Sequence, residues 1–536
     1  MRLQKFAIKN FRSVENVVLS IPEDRPLVLF GPNNSGKSNI LKAFDILLGE
    51  RYPSYVELQD SDYFSRDKER FPNIFIAGGF DENYYGGNSY NPPAKTVCFT
   101  SNKEIDGRKE NTLHSPEGKK LFISQDERQR CQFLLVDASR DITRQLSYYS
   151  QYSMLSKMSK RLHESIVASK KRELDSNYIA LRRIFESVED FAGFYANLKQ
   201  AFTDSIEGFQ HQLEIDLSAY DPNNYFRTLR VVAREGDTIR AFEEFGTGEQ
   251  QILLMAFMRA YATTFKGETY ILGIEEPEAH LHPLAQRWLM HNVNAICKAG
   301  IQVILTTHSP EFLDIENLEG FVRVYKDGAI TKVVQNNAAA LSESCISLAS
   351  NPRKTSAASI LEFYKTNTFA DQVRGFFARK IMLVEGATEY FALPEYFSSA
   401  GIDLVRSGIE VVDCRGKSQL CRNYRLFKAY GYDCFCLFDA DDQETSNEDL
   451  AATFGFDHKS MKRDQKDFVM DRAKGYGYFG DKFETYMRAT FKEYSAVENS
   501  IDGSKVLKAR QAARSKSFHP TFIAQISESL AISVST

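Results

Sequence analysis

The stretch GPNNSGKS, Gly31 to Ser38, constrains this chain more than any other eight residues in it. It fits G-x-x-x-x-G-K-[ST], and it lies between an apolar run, RPLVLF, and a stretch of helical period, SNILKAFDILL, that stops at Gly49. A strand, a glycine turn and a helix in that order gather backbone N–H groups and the positive end of a helix around one point. Such a turn cradles phosphates: Lys37 reaches the outer ones and Ser38 can ligate Mg²⁺. The expected ligand is a nucleotide, and the expected surroundings are a mostly parallel α/β sheet.

Three later stretches extend that expectation. YILGIEE runs apolar into Glu275 and Glu276 at a strand tip, where one carboxylate can hold Mg²⁺ and the next can polarise the attacking water. Glu275 is assigned to the metal and Glu276 to the water. FGTGEQQILL sets Gly246, Thr247 and Gly248 just before a helix, so that their amides can meet a phosphate. VILTTHSPEFL sets His308 after a strand, in position to sense a γ-phosphate. His280 and His282 share a strand-like face, but no carboxylate spacing supports a metal pair, and they read as loop residues.

A chain of 536 residues exceeds what one core fills, so two or three domains are expected. LQKFAIKNF alternates like a strand, and residues 50–130 mix strand-like runs with dense turn residues, which suggests hairpins rather than a separate domain. Residues of about 140–215 are helical in pattern and highly charged. An arm pairing with a second subunit, a DNA-touching basic helix and a solvated helix face all fit them. The resulting division is an ATPase domain over 1–350, a polar connector over 351–377, and a second βαβ series over 378–536. A net charge of −4 argues against a whole-chain polycation, while leaving room for a local basic channel. Eight scattered cysteines without a CxxC pair read as reduced core thiols. No run approaches the ~20 apolar residues of a membrane span, and a cytoplasmic location is expected.

The second series raises its own question, because it is acidic at its strand ends. IMLVEGATEYF closes a buried-type strand with Glu385, turns at Gly386, and places Glu389 on the following helix. DCFCLFDADD closes another with Asp439, Ala440 and Asp441; if the strand continues, both aspartates face one way. Packed like charges are costly without a cation, and hard divalent ions favour oxygen ligands. The simplest account is a Mg²⁺ or Mn²⁺ site built from Glu385, Asp439 and Asp441, with Glu389 beside them.

The first series resembles the ABC-type ATPases of the SMC-like branch, on NFRS, GPNNSGKSN, GTGEQQ, IEEPEAHLHP and TTHSPEFL. The resemblance implies nucleotide contacts from Arg12, Asn34, Gly36, Lys37, Ser38 and Asn39, and a dimer in which Gly246–Gly248 of one subunit complete the site of another. This chain has Glu275 where that class often has Asp, and no glutamine stands out for the Q-loop. The acidic series resembles a Toprim domain, with Glu385 as its glutamate and Asp439 and Asp441 as its DxD. The two in this order resemble the OLD (overcoming lysogenization defect) family of nucleases. That resemblance adds a late acid, Glu484 or Asp481 in GDKFETYM, and a lysine, Lys505 or Lys508 in DGSKVLKARQAAR, where Val506 replaces the family's frequent proline. The basic run from Lys505 through Arg510 and Arg514 to Lys516 suits phosphate contacts.

The expected function is metal-dependent cleavage of DNA, gated by ATP, with phage defence as the setting the resemblance implies. Lys505 would stabilise the transition state's charge. Nucleotide closure would either move the Toprim domains or shape the DNA path. Expected partners are DNA and a second copy, with tetramers and a neighbouring-gene helicase or reverse transcriptase left open. Two other readings stand beside it. A strand-joining Toprim would need a nucleophile domain that the sequence does not offer. An ATP-responsive assembly protein would carry a silent Toprim domain.

Overall fold

The computed structural model describes residues 1–137, 269–347 and 357–530 almost without break, and scattered positions between 169 and 260. Most of the charged stretch at 140–215, along with Thr247 and His280, lies outside the described residues.

The N-terminal half builds on one eleven-stranded sheet. Its strands are β1 (Leu3–Phe11), β2 (Val14–Ser20), β3 (Leu27–Phe30), β4 (Phe75–Phe80), β5 (Thr96–Ile105), β6 (Arg108–His114) and β7 (Cys131–Asp137). After a separate small hairpin, β8 (Val232–Glu235) and β9 (Thr238–Ala241), come β10 (Thr269–Glu275), β11 (Gln302–Thr307), β12 (Phe321–Asp327) and β13 (Ile330–Gln335). The order is β6-β5-β4-β1-β2-β13-β12-β3-β11-β10-β7. Strands β12, β3, β11, β10 and β7 run parallel, with mainly apolar centres such as LVLF and YILGI, while β6, β5, β4, β1 and β2 are antiparallel. The hairpins of residues 50–130 therefore extend this sheet.

The C-terminal half has a five-stranded sheet, β15-β14-β16-β18-β17. These are β14 (Lys380–Val384), β15 (Ile409–Asp413), β16 (Asp433–Asp439), β17 (Phe468–Asp471) and β18 (Tyr476–Phe479). All are parallel except β17. The helices that matter below are α1 (Lys37–Leu48), α2 (Pro283–Lys298), α3 (Ala387–Ser399), α4 (Lys417–Ala429), α5 (Glu444–Phe454), α6 (Phe483–Thr490) and α7 (Lys505–Arg514).

Each sheet has a core of its own on one face, and the two share a third between them. One cluster of buried apolar side chains runs from Val28, Phe30 and Leu272 on the first sheet, through Val373 and Phe376, to Leu420, Phe427 and Tyr430 behind the second. Phe30, the last residue before the glycine turn, has ring centroids 5.5 Å from Phe376 and 6.0 Å from Phe377. Arg323 of β12 lies 3.6 Å from the Tyr432 ring centroid and donates to the Tyr430 carbonyl at 2.8 Å. The described part of the polar-looking connector, from residue 357, is thus packed between the two halves. All eight cysteines are free and buried.

Candidate functional site

The glycine turn is shaped by close approach to β12 and β13. Gly31 has φ 144°, and a Cβ there would lie 2.0 Å from the Val324 carbonyl oxygen; Gly36 has φ 109°, and a Cβ would lie 2.2 Å from Thr331 Oγ1. Only glycine tolerates both demands. Gly36 caps α1, whose first residue is Lys37, so Ser38 and Asn39 fall in its first turn. Lys37 Nζ donates to the Gly31 and Pro32 carbonyls at 3.0 and 3.1 Å and lies 2.8 Å from His308 Nε2. Burial lowers the Lys37 pKa to about 8, against the pull of Glu276, Glu278 and Glu275. Around it, Asn34 is exposed in the left-handed region (φ 61°), and Arg12 reaches Asn39 at 3.2 Å and Asp62 at 2.9 Å.

Glu275 ends β10, and Glu276 follows at φ 46°, its N–H held by the Thr306 carbonyl at 3.1 Å. That turn presents Glu276 Oε1 at 3.4 Å from His308 Nε2. The structure thus brings Lys37, Glu276 and His308 together, with Glu275 and Ser38 beside them. A third carboxylate, which the sequence reading passed over, supports the group: Glu278 Oε1 accepts the His308 N–H at 2.5 Å. Burial raises the Glu278 pKa, against the bonds from the His308 N–H and the Thr307 side chain. Gly246 and Gly248 flank the start of a helical stretch, where the Gly246 N–H meets Glu249 Oε2 at 3.1 Å. The glycine cradle, a buried ammonium and a carboxylate at the adjacent strand end suit a Mg²⁺-nucleotide.

The acidic site lies along the C-terminal edge of the second sheet. Glu385 follows β14, Gly386 caps α3, and Glu389 sits in that helix's first turn. Asp439 is the last residue of β16, and Glu484 lies in the first turn of α6. Glu385 Oε2 accepts the Asp439 N–H at 3.2 Å, and Asp439 Oδ1 accepts the Phe483 N–H at 3.1 Å. Glu484 Oε1 accepts from Thr388 at 3.0 Å and faces Lys505 Nζ, the first residue of α7, at 3.3 Å. Asp481 and Lys508 lie a few residues from these two, without a carboxylate or ammonium partner in the group.

Burial first, and then mutual repulsion, raise these carboxyls: Glu389 goes up to about 8 through Glu484 and Glu385, and Asp439 rises well above its usual range through Glu389, Glu385 and Glu484. Glu385 rises as well, held back by Lys417. As they stand, no three His, Cys, Asp or Glu side chains among the described residues are placed to hold an ion. Glu484 meets Thr388 and Lys505, and Asp441 meets Lys417. The donor set itself, packed oxygens of one sign, fits a hard divalent ion.

Two expectations change. The strand stops at Asp439, so Asp441 does not share its face by β alternation; it sits on the next turn, paired with Lys417. Lys417, the first residue of α4, is fully buried and also reaches Asn447 Oδ1 at 3.2 Å. It was missed because RGKSQL looks like any polar helix start. The basic C-terminal run is also partly committed elsewhere: Arg510 and Arg514 both bind Glu395 of α3, at 3.0 and 2.8 Å. Two of its cations are therefore not free for phosphate.

Residues 27–314, more than half of the chain, match the family described as AAA domain, putative AbiEii toxin, Type IV TA system. Residues 376–441, spanning Glu385 to Asp441, match the Overcoming lysogenization defect protein-like TOPRIM domain. The chain belongs to the OLD family. It is an α/β chain in which an ATPase-type domain precedes an OLD-type Toprim domain. Among relatives, the OLD nuclease of Thermus scotoductus is 26% identical over 437 residues, covering 78% of each chain. The Old nuclease of Escherichia phage P2 is 28% identical over 247 residues, covering 42% of this chain and 39% of that one. Among solved structures, the SMC head domain from Thermotoga maritima aligns at 19% identity and TM-score 0.34, over 63% of this chain and all of that one (100%). Among the described residues no helix is long and apolar enough to cross a membrane.

Proposed function

We propose that this OLD-family chain is a DNA endonuclease that depends on Mg²⁺ or Mn²⁺ and is gated by ATP, acting in defence against phage. The observation that carries the reading is the group of buried acids, Glu385, Glu389, Asp439 and Glu484, beside Lys505 at one sheet edge. The relatives named as nucleases support it. Bound divalent metal would polarise the scissile phosphate and lower the pKa of its water. Glu385 and Asp439 are the residues to hold it, with Glu389, Glu484 and Asp441 adjoining. Lys505 would place a positive charge against the phosphate oxygens as negative charge accumulates.

In the other half, Lys37, Ser38 and Glu275 would hold Mg²⁺-ATP, Glu276 would orient water, and His308 would report the γ-phosphate. ATP would pair two copies, with Gly246–Gly248 of one closing the nucleotide site of the other. The test is plasmid cleavage by the full chain with Mg²⁺ or Mn²⁺, with and without ATP. Nicking or linearisation that Glu385→Ala abolishes is the expected outcome, and a changed ATP response in Lys37→Ala assigns the gate. Intact DNA under both metals, with Mn²⁺ not bound, would leave the silent assembly protein as the better reading.

A further inference from the structure

The parallel strands β14, β16 and β18 bring their C-terminal ends, and with them Glu385, Asp439 and the Gly480–Glu484 turn, to one edge of the second sheet. Strand β17 is antiparallel to β18, so it starts at that same edge. The loop that leads into it, residues 457–467, therefore borders the acidic site.

This loop is anchored on both sides. Met461 is buried. The Gly480 N–H donates to the Asp467 carbonyl at 2.9 Å, and a Cβ on Gly480 would lie 2.1 Å from the Asp464 carbonyl oxygen. Arg463 binds Glu444 at 2.7 Å and lies 3.6 Å from Asp442, the residue after Asp441. Two of the loop's three aspartates accept from its own backbone: Asp457 accepts the Lys459 N–H at 3.0 Å, and Asp464 the Lys466 N–H at 2.9 Å. Lys459, Lys462 and Lys466 are left exposed, with no side-chain ion pair among the described residues. Lys482 is exposed as well, one residue before the Phe483 N–H that holds Asp439.

We infer that Lys459, Lys462, Lys466 and Lys482 form a rail for the phosphates of a polynucleotide strand entering the acidic site. The inference rests on the nuclease reading and gives it a substrate path. A fixed backbone carrying free ammonium groups beside acids of the opposite sign is what a polyanion needs to reach them. The cations hold the strand on the loop through its phosphates, and bound metal would offset the charge of the acids beside it. Helix α7 serves this less well, since Arg510 and Arg514 are bound to Glu395 and Lys505 to Glu484.

The test is binding of a labelled oligonucleotide by the full chain without divalent metal, followed by anisotropy across a salt series. Parent, Lys462→Ala/Lys466→Ala/Lys482→Ala, and a charge-matched control are compared. The control, Arg406→Ala/Lys428→Ala/Arg472→Ala, removes three exposed cations from the opposite edge of the same sheet. At about 0.7–0.9 in salt slope per phosphate contact, the rail variant is expected to lose about 2 from the log–log slope, and the control almost nothing. A rail variant that cuts and binds like the parent, with the same slope, overturns the rail alone. A parent that neither binds nor cuts DNA overturns the nuclease reading, and the rail with it.

Discussion

Asp439→Asn is expected to reduce metal-dependent cleavage by more than about 100-fold, and at the same time to stabilise the metal-free protein. Losing an outer partner of a metal ligand already costs about 10–100-fold, and Asp439 is proposed here as a ligand itself. The stability effect has the opposite sign and a separate cause. Asp439 is buried against Glu389, Glu385 and Glu484, and folding raises its pKa. Ionising it in the folded state therefore costs stability above its unfolded pKa, and asparagine carries no such cost. A single stabilising substitution is commonly worth about 0.5–2 kcal/mol. Differential scanning calorimetry with and without Mn²⁺ separates the two effects. The parent should melt lower without metal and rise on its addition, whereas the variant should start higher and respond little. A variant that Mn²⁺ stabilises as much as the parent would remove Asp439 from the metal site.

The same electrostatics explains what the sequence made legible. Glu385 and Asp439 each end an apolar run, and a buried strand that stops at an acid can hardly hide where the acid lies. The glycine turn was legible because Gly31 and Gly36 stand where β12 and β13 crowd the backbone, a demand only glycine meets. What was not legible depends on contacts between segments far apart in the chain. Lys417 is buried because α4 starts beneath the Asp441 turn, and nothing in RGKSQL signals that. Arg510 and Arg514 read as a free basic face until α3 supplies Glu395 across from them. Glu278 differs from a surface acid through its burial and its bond to the His308 N–H, and both come from the fold. Alternation failed at Asp441 because the period-two rule ends where the strand ends.

Phe376→Ala is expected to destabilise both halves of the molecule together, by about 3–5 kcal/mol, the usual range for a buried phenylalanine. Phe376 is fully buried, and its ring meets Phe30 at 5.5 Å, Phe321 at 6.0 Å, Phe427 at 5.0 Å and Tyr430 at 5.4 Å. Its carbonyl also accepts from Tyr432 Oη. The first two rings belong to the first sheet and the last two to α4 and the turn that follows it. One side chain thus closes a core shared by the strand leading into the glycine turn and the helix beginning at Lys417. Its loss should lower one cooperative transition rather than split it, as calorimetry would record. The consequence reaches the gate. A Toprim domain welded to the P-loop strand by Phe30, Phe376 and Arg323 cannot swing independently of it. Of the two ways in which nucleotide was expected to act, bringing whole subunits together to shape the DNA path then fits the packing better than moving Toprim domains within a subunit. Two separate transitions in the Phe376→Ala variant, with one half unshifted, would show that the halves fold independently and would reopen the hinge.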